Sequence, residues 1–145
     1  MKQAILFIVA FVFFSLEINA QTDIVVNKDT VLAYRNLSAV QKAAWDSLEE
    51  KWQYDIFRPE CSASGFRQDC IVCGDIAWTV IFKVDANGKL SNLTIVLAEV
   101  LCDEKTPEQK KALEEKVLEW FRQQTFPPVL RNTSIEDRVG RFTRC

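Results

Sequence analysis

A tight turn between two alternating apolar segments is the strongest constraint on the fold of this 145-residue chain. The segments span residues 78–84 and 90–97, with Asp-Ala-Asn-Gly-Lys between them. Asn87 and Gly88 favour the left-handed backbone of a tight turn, because glycine has no Cβ to clash there and asparagine tolerates it. Strand side chains alternate between two faces, so the sequence predicts a β-hairpin with one apolar face, formed by Trp78, Val80, Phe82, Val84, Leu93, Ile95 and Leu97.

Two capping signals predict helices on either side of the hairpin. Ser38 with Gln41, and Thr106 with Gln109, have the spacing of a capping box. We expect the first helix to end before Pro59, whose ring disfavours helical geometry in the preceding residue. Its apolar stripe is Trp45, Leu48 and Trp52. The second helix has the stripe Leu113, Val117, Trp120 and Phe121, and its solvated side is Lys110, Lys111, Glu114, Glu115 and Glu119.

The end of the chain predicts a further strand. Ile135, Val139 and Phe142 are spaced almost by twos, and the irregular step suggests a bulge near Gly140. Residues 29–34 are compatible with a short edge strand. The order of elements predicts an α+β fold: a two-layer sandwich with a three-stranded antiparallel sheet, made of the hairpin plus the C-terminal strand, and two helices on one face.

The first twenty residues have the pattern of a secretory signal peptide. Lys2 precedes an apolar run over residues 4–16, and Ala20 supplies the small residue at a cleavage site. The run is shorter than the roughly 20 residues that cross a bilayer, so we expect cleavage, with a retained N-terminal anchor as the alternative. The sequence thus predicts a secreted or periplasmic protein with a signal peptide (1–20), an N-terminal extension (21–37) and one domain (38–145).

Composition argues against several classes of function. A net charge of -2 favours neither nucleic acid nor an anionic membrane surface as a partner. Histidine is absent, which removes a Ser-His or Cys-His nucleophilic pair and any imidazole metal site. The sequence has no glycine-rich phosphate loop. We therefore expect no enzymatic activity, no cofactor and no small-molecule substrate.

The five cysteines favour disulfides in an oxidising compartment. If Phe82 faces Leu93 in the hairpin, the same register places Cys73 opposite Cys102, at a distance that a disulfide tolerates. The Cys-x-x-Cys motif at Cys70 leads into a strand and lacks the helix N-terminus that activates a thiol. A thiol-redox protein, or a zinc protein using Cys70, Cys73, Cys102 and Cys145, remains the alternative function.

Several motifs resemble the C-terminal domain of the TonB family of envelope proteins. Alternating apolar residues precede an Asp-x-x-Gly-Lys turn at Asp85, the next helix is followed by Phe126-Pro127, and Phe57 and Pro59 resemble the end of the helix before the hairpin. The resemblance implies that the last strand pairs with the first hairpin strand and that an extended partner binds at a sheet edge. It also implies a second bridge among Cys61, Cys70 and Cys145, because the last strand returns to where the hairpin begins.

The chain departs from TonB itself in its N-terminal part. About fifteen residues separate the signal peptide from the first helix, without a proline-rich spacer, and they reach roughly 50 Å when extended. Energy transduction across a periplasm is therefore not expected. The sequence predicts a non-enzymatic secreted or periplasmic protein-binding domain, whose unidentified partner belongs to an envelope or disulfide-linked complex.

Overall fold

The computed structural model describes residues 30–67 and 72–142 of the chain. The fold is α+β, with helices packed on one face of a sheet, as the sequence predicts. The signal-peptide prediction, Cys70 and Cys145 lie outside the described residues. The elements in chain order are β1 (Val31–Ala33), α1 (Ala39–Trp52), α2 (Arg58–Ala63), β2 (Cys73–Val84), β3 (Leu90–Cys102), α3 (Pro107–Gln123) and β4 (Ser134–Arg141).

Within the described residues the sheet has four strands in the order β1-β4-β2-β3 and is mixed, so the prediction of a purely antiparallel sheet of three strands is wrong. The β2–β3 hairpin and the β2–β4 pair are antiparallel, as expected. The additional strand is β1, which pairs parallel to β4 through three residues. It lies in the segment 29–34 that is compatible with an edge strand. The end of the predicted N-terminal extension therefore contributes to the sheet.

Both predicted capping boxes are present. Ser38 and Thr106 each accept a hydrogen bond from the backbone three residues ahead, and Gln41 and Gln109 accept from the cap residues in return. These bonds satisfy amides that the first helical turn leaves without a partner. The helix starts are therefore encoded locally, as the sequence spacing indicates.

The regular helix α1 ends at Trp52, before Pro59 as predicted, but helical backbone continues beyond it and passes through the proline. A five-residue π turn, Gln53–Phe57, follows α1, and the chain continues directly into α2, where Pro59 lies in the first turn. A proline inside a regular α-helix loses one hydrogen bond and clashes with the carbonyl four residues earlier. The wider π turn changes the hydrogen-bond pattern just ahead of the ring and so lets helical backbone pass through it.

Aromatic side chains from the helices and the sheet fill the space between the two layers. Trp45 of α1 lies 4.8 Å from the Phe82 ring of β2 and 6.0 Å from the Phe121 ring of α3. Trp52 stacks on Phe57 at 4.8 Å and donates its indole N–H to the Val117 carbonyl at 2.7 Å. Such rings bury a large apolar area, so they fix how the helices sit on the sheet.

The hairpin has three register shifts, and the two that lie beyond Val80 correct its predicted register. Phe82 faces Leu93 and Val80 faces Ile95, as expected, but Trp78 faces Ala98 rather than Leu97. An extra residue on β3 at Val96 causes this shift, and a second shift before Ile76 reverses it. Leu97 consequently lies opposite Thr79 on the face away from the helices, whereas Cys73 still meets Cys102.

No bulge occurs at Gly140, since the register between β2 and β4 is continuous from Ile76 to Lys83. Gly140 instead has a φ of 139°. A Cβ at this position would lie 2.3 Å from the Ile76 carbonyl oxygen and 2.5 Å from the Ala77 Cα. Glycine is therefore required because β4 approaches β2 closely, not because the strand carries an extra residue.

Candidate functional site

The two edge strands of the sheet differ strongly in length. β1 is three residues long and covers only Ser134–Glu136 of β4. The opposite edge is β3, which is 13 residues long and, in the described part of the chain, pairs with β2 on one side only. An edge strand presents backbone amides and carbonyls that another strand can use, so β3 is the larger open template of the two.

The β3 edge has few of the features that keep an edge strand from pairing with another chain. Glu99 is its only charged residue, and it contains no lysine, proline or glycine. Three apolar side chains of β3 are exposed by 55% (Val96), 51% (Leu97) and 57% (Leu101). The shifts at Ser91 and Val96 are the only protection of a known kind on this strand. A long edge strand with exposed apolar residues can serve as a template on which another strand pairs.

A groove of about 290 Å³ runs beside this edge on the helix-covered face. Ala98 and Val100 of β3 lie on one side of it, and the N-terminal half of α3 forms the other side through Pro107, Lys110 and Lys111. Ala98 is exposed and Val100 is half-buried. The groove therefore offers an apolar floor to side chains of a strand that would pair with β3.

Glu114 closes the inner end of this groove and is buried, although the helical pattern assigns it to the solvated side of α3. Its carboxylate accepts a hydrogen bond from the indole nitrogen of Trp78 at 3.0 Å and forms an ion pair with Lys111. The pair raises the pKa of Lys111. Helical periodicity shows which face of α3 a residue lies on, but not that an indole donor lies opposite it. The sequence pattern therefore does not predict that Glu114 is buried.

On the other face of the sheet, Arg138 lies across from Thr79 and so shares a row with Leu97. Its guanidinium forms an ion pair with Glu99 at 2.7 Å and with Asp75 at 3.4 Å. It also stacks over the Phe142 ring at 4.0 Å. Arg138 therefore neutralises the single charge of β3, which makes the edge more apolar than its sequence indicates.

The structure contains the disulfide between Cys73 and Cys102, with a Cα–Cα distance of 4.2 Å. Both residues are buried at the open end of the hairpin. Cys61 in α2 is a free, buried thiol, and burial raises its pKa to about 12, with the Glu60 carboxylate adding to the effect. A thiol with so high a pKa stays protonated at neutral pH and is a poor nucleophile or metal ligand.

A cluster of acidic groups lies where α1 meets β4 and the residues after β1. The Trp45 indole donates to Asp137 at 2.6 Å, and the Tyr34 hydroxyl donates to Asp46 at 2.8 Å. Burial, together with the charges of Asp137 and Asp46, raises the pKa of Glu49 to about 7. Within the described ranges no three carboxylates or cysteines are arranged to hold a metal ion.

The comparisons with known proteins give no relative for this chain: no family model, no curated protein and no solved structure matches it. Among the described residues, no helix is both long and apolar enough to cross a membrane. The geometry of the β3 edge is therefore the main structural guide to function.

Proposed function

We propose that this protein is a non-enzymatic, secreted or periplasmic binding domain that takes an extended segment of a protein partner at the edge of β3. The observation that carries the proposal is the combination of length, low charge and apolar exposure on this one strand. The resemblance to the TonB C-terminal domain points the same way, since that family also implies an extended partner at a sheet edge.

Pairing with β3 would supply two kinds of interaction. Backbone hydrogen bonds along the strand give affinity, while alternate side chains of the added strand enter neighbouring pockets and give specificity. On the helix face, those side chains would meet the groove beside Ala98 and Val100. On the other face, they would meet Leu97 and Leu101, which are exposed.

Site-specific photo-crosslinking tests this proposal. Leu97 is replaced by a benzophenone amino acid in the protein expressed in its native cells, and Val40 on α1 is replaced in the same way as the control. Both positions are more than half exposed, at 51% and 67%, so they differ in location rather than in accessibility. We expect a discrete protein adduct at position 97 and none at position 40. Absence of an adduct at 97, or equal adducts at both positions, contradicts the proposal.

A further inference from the structure

We infer that the strand bound at the β3 edge is β3 of a second copy of this chain, paired antiparallel about a two-fold axis between Val96 and Leu97. The inference rests on the proposed use of β3 and names its partner. A two-fold pairing brings the same patch of both copies together, so β3 must be complementary to itself. Its shape and its charges both meet this condition.

The shape argument concerns the helix-facing side chains of β3. Its first half carries the large residues Leu93 and Ile95, and its second half carries the smaller Ala98 and Val100 beside the groove. In the proposed register, Ile95 faces Ala98 of the second copy, and Leu93 faces Val100 of the second copy. The large side chains of each copy, which pack partly against their own core, therefore lie beside the smaller residues that line the 290 Å³ groove of the other.

The centre of this pair is apolar on both sides. Val96 and Leu97 flank the axis, and each is more than half exposed in the single chain. Glu99 would face Thr94 of the second copy, and its charge is already paired with Arg138. The strand pair therefore brings no two like charges of β3 together.

Charges at the two ends of β3 favour the antiparallel direction. Lys89 precedes the strand, and its ammonium donates to two uncharged oxygens, the Thr125 hydroxyl at 2.7 Å and the Gln124 carbonyl at 3.4 Å. Asp103 and Glu104 follow the strand and are exposed. In the described part of the chain neither forms an ion pair.

An antiparallel pair joins the start of each β3 to the end of the other, so Lys89 lies beside Asp103 and Glu104 of the second copy at both ends. A parallel pair would instead join like charges. Complementary potentials of this kind set the direction of strand pairing more than its affinity.

Sedimentation velocity of the purified protein over a micromolar concentration series tests the inference. We expect a reversible dimer, weakened about tenfold or more in Kd by K89E and by D103K/E104K, because each variant places like charges at both ends. An equimolar mixture of the two variants should dimerise to within about threefold of the unchanged protein, since opposite charges meet again. V40K on α1 is the control and should leave the Kd unchanged.

Rescue by mixing shows that the variants are folded and that the two strand ends meet. A protein that stays monomeric throughout the series, or variants that mixing does not rescue, would overturn the dimer. Photo-crosslinking at position 97 separates this failure from that of the proposed function. An adduct of two copies of this chain supports the dimer, an adduct with a different protein alone overturns it while the proposed function stands, and no adduct overturns both.

Discussion

The indole nitrogen of Trp78 donates a hydrogen bond to the carboxylate of Glu114 at 3.0 Å, and both residues are buried. This bond joins the middle of β2 to the middle of α3. A buried indole donor without an acceptor costs free energy, so the acid at position 114 stabilises the contact between sheet and helix.

Replacing Glu114 by leucine should therefore lower the free energy of unfolding by about 2 kcal/mol, because the Trp78 donor is left buried and unpaired. Glu114→Gln should cost less, since the amide oxygen can still accept the bond. The measurement is urea denaturation followed by tryptophan fluorescence. Glu115→Leu, at the exposed neighbouring position, is the control and should stay within about 0.5 kcal/mol of the unchanged protein. Equal losses at positions 114 and 115 would contradict the assignment.

Glu49 should make the free energy of unfolding depend on pH between 4.5 and about 7. Its pKa is raised from 4.5 to about 7 in the folded protein. Between these values the unfolded chain has released a proton that the folded chain still holds. The contribution of Glu49 to stability is thus most favourable below pH 4.5, falls as the pH rises to about 7, and is constant above it.

Glu49→Gln should remove this dependence and stabilise the protein by about 1 to 2 kcal/mol at pH 8, a figure already reduced for partial solvent exposure. The gain should be much smaller at pH 5. Chemical denaturation of both proteins at the two pH values measures it. Glu50→Gln, on the exposed side of α1, is the control. A gain that is the same at both pH values would show that Glu49 does not titrate in this window.

The Cys73–Cys102 disulfide should stabilise the hairpin against unfolding. The double variant Cys73→Ala/Cys102→Ala should lose about 3 kcal/mol, because the two residues are separated by 29 positions and the bridge restricts the unfolded chain. Thermal unfolding with and without reductant measures the loss, and reductant should lower the Tm of the unchanged protein more than that of the variant, which lacks this bridge.

Alkylation combined with peptide mapping tests the remaining cysteines. Cys61 should react slowly in the folded protein at pH 8, because it is buried and its pKa is about 12, and rapidly once urea unfolds the chain. The same peptide map tests the assignment of Cys61 as a free, buried thiol. Rapid labelling of Cys61 in the folded protein, or a peptide that joins it to another cysteine, would contradict this assignment.

Gly140→Ala should be severely destabilising, by about 3 kcal/mol or more, because the backbone has a φ of 139° and the added Cβ meets the backbone of Ile76 at 2.3 Å. Gly74→Ala is the matched control on β2, since its Cβ would lie 3.4 Å from the Leu101 Cβ, an ordinary contact. Guanidinium denaturation of the two variants measures the difference. Similar losses of stability at both positions would show that the close approach of β4 to β2 is not what requires glycine at position 140.

The sequence predicts those parts of the fold that depend on neighbours along the chain. The capping boxes at Ser38 and Thr106 involve contacts three residues apart, and the alternation around Trp78 reports a strand directly. The position of Cys73 opposite Cys102 follows from counting outward from the pair of Phe82 and Leu93. It is correct because the shift at Val96 and the shift before Ile76 compensate each other.

Features fixed by distant contacts could not be predicted. Residues 29–34 are compatible with a short edge strand, but a strand of three residues carries no local signal that it pairs parallel to β4. The burial of Glu114 depends on Trp78, 36 residues away. The sequence does not show that the charge of Glu99 is paired, because Arg138 comes close to it only when β4 has joined the sheet. The open β3 edge is thus a property of strand order, which no local pattern contains.

The tip of the hairpin also bears on the order in which the chain can assemble. The Phe126 amide donates to the Gly88 carbonyl at 2.7 Å, and a Cβ on Gly88 would lie 2.6 Å from the Phe126 carbonyl oxygen. The turn therefore packs directly against the segment that connects α3 to β4. A hairpin forms from local contacts within microseconds, whereas distant segments meet only after longer loops have closed. The turn at Gly88 can thus act as an early template that directs the last strand to its place beside β2.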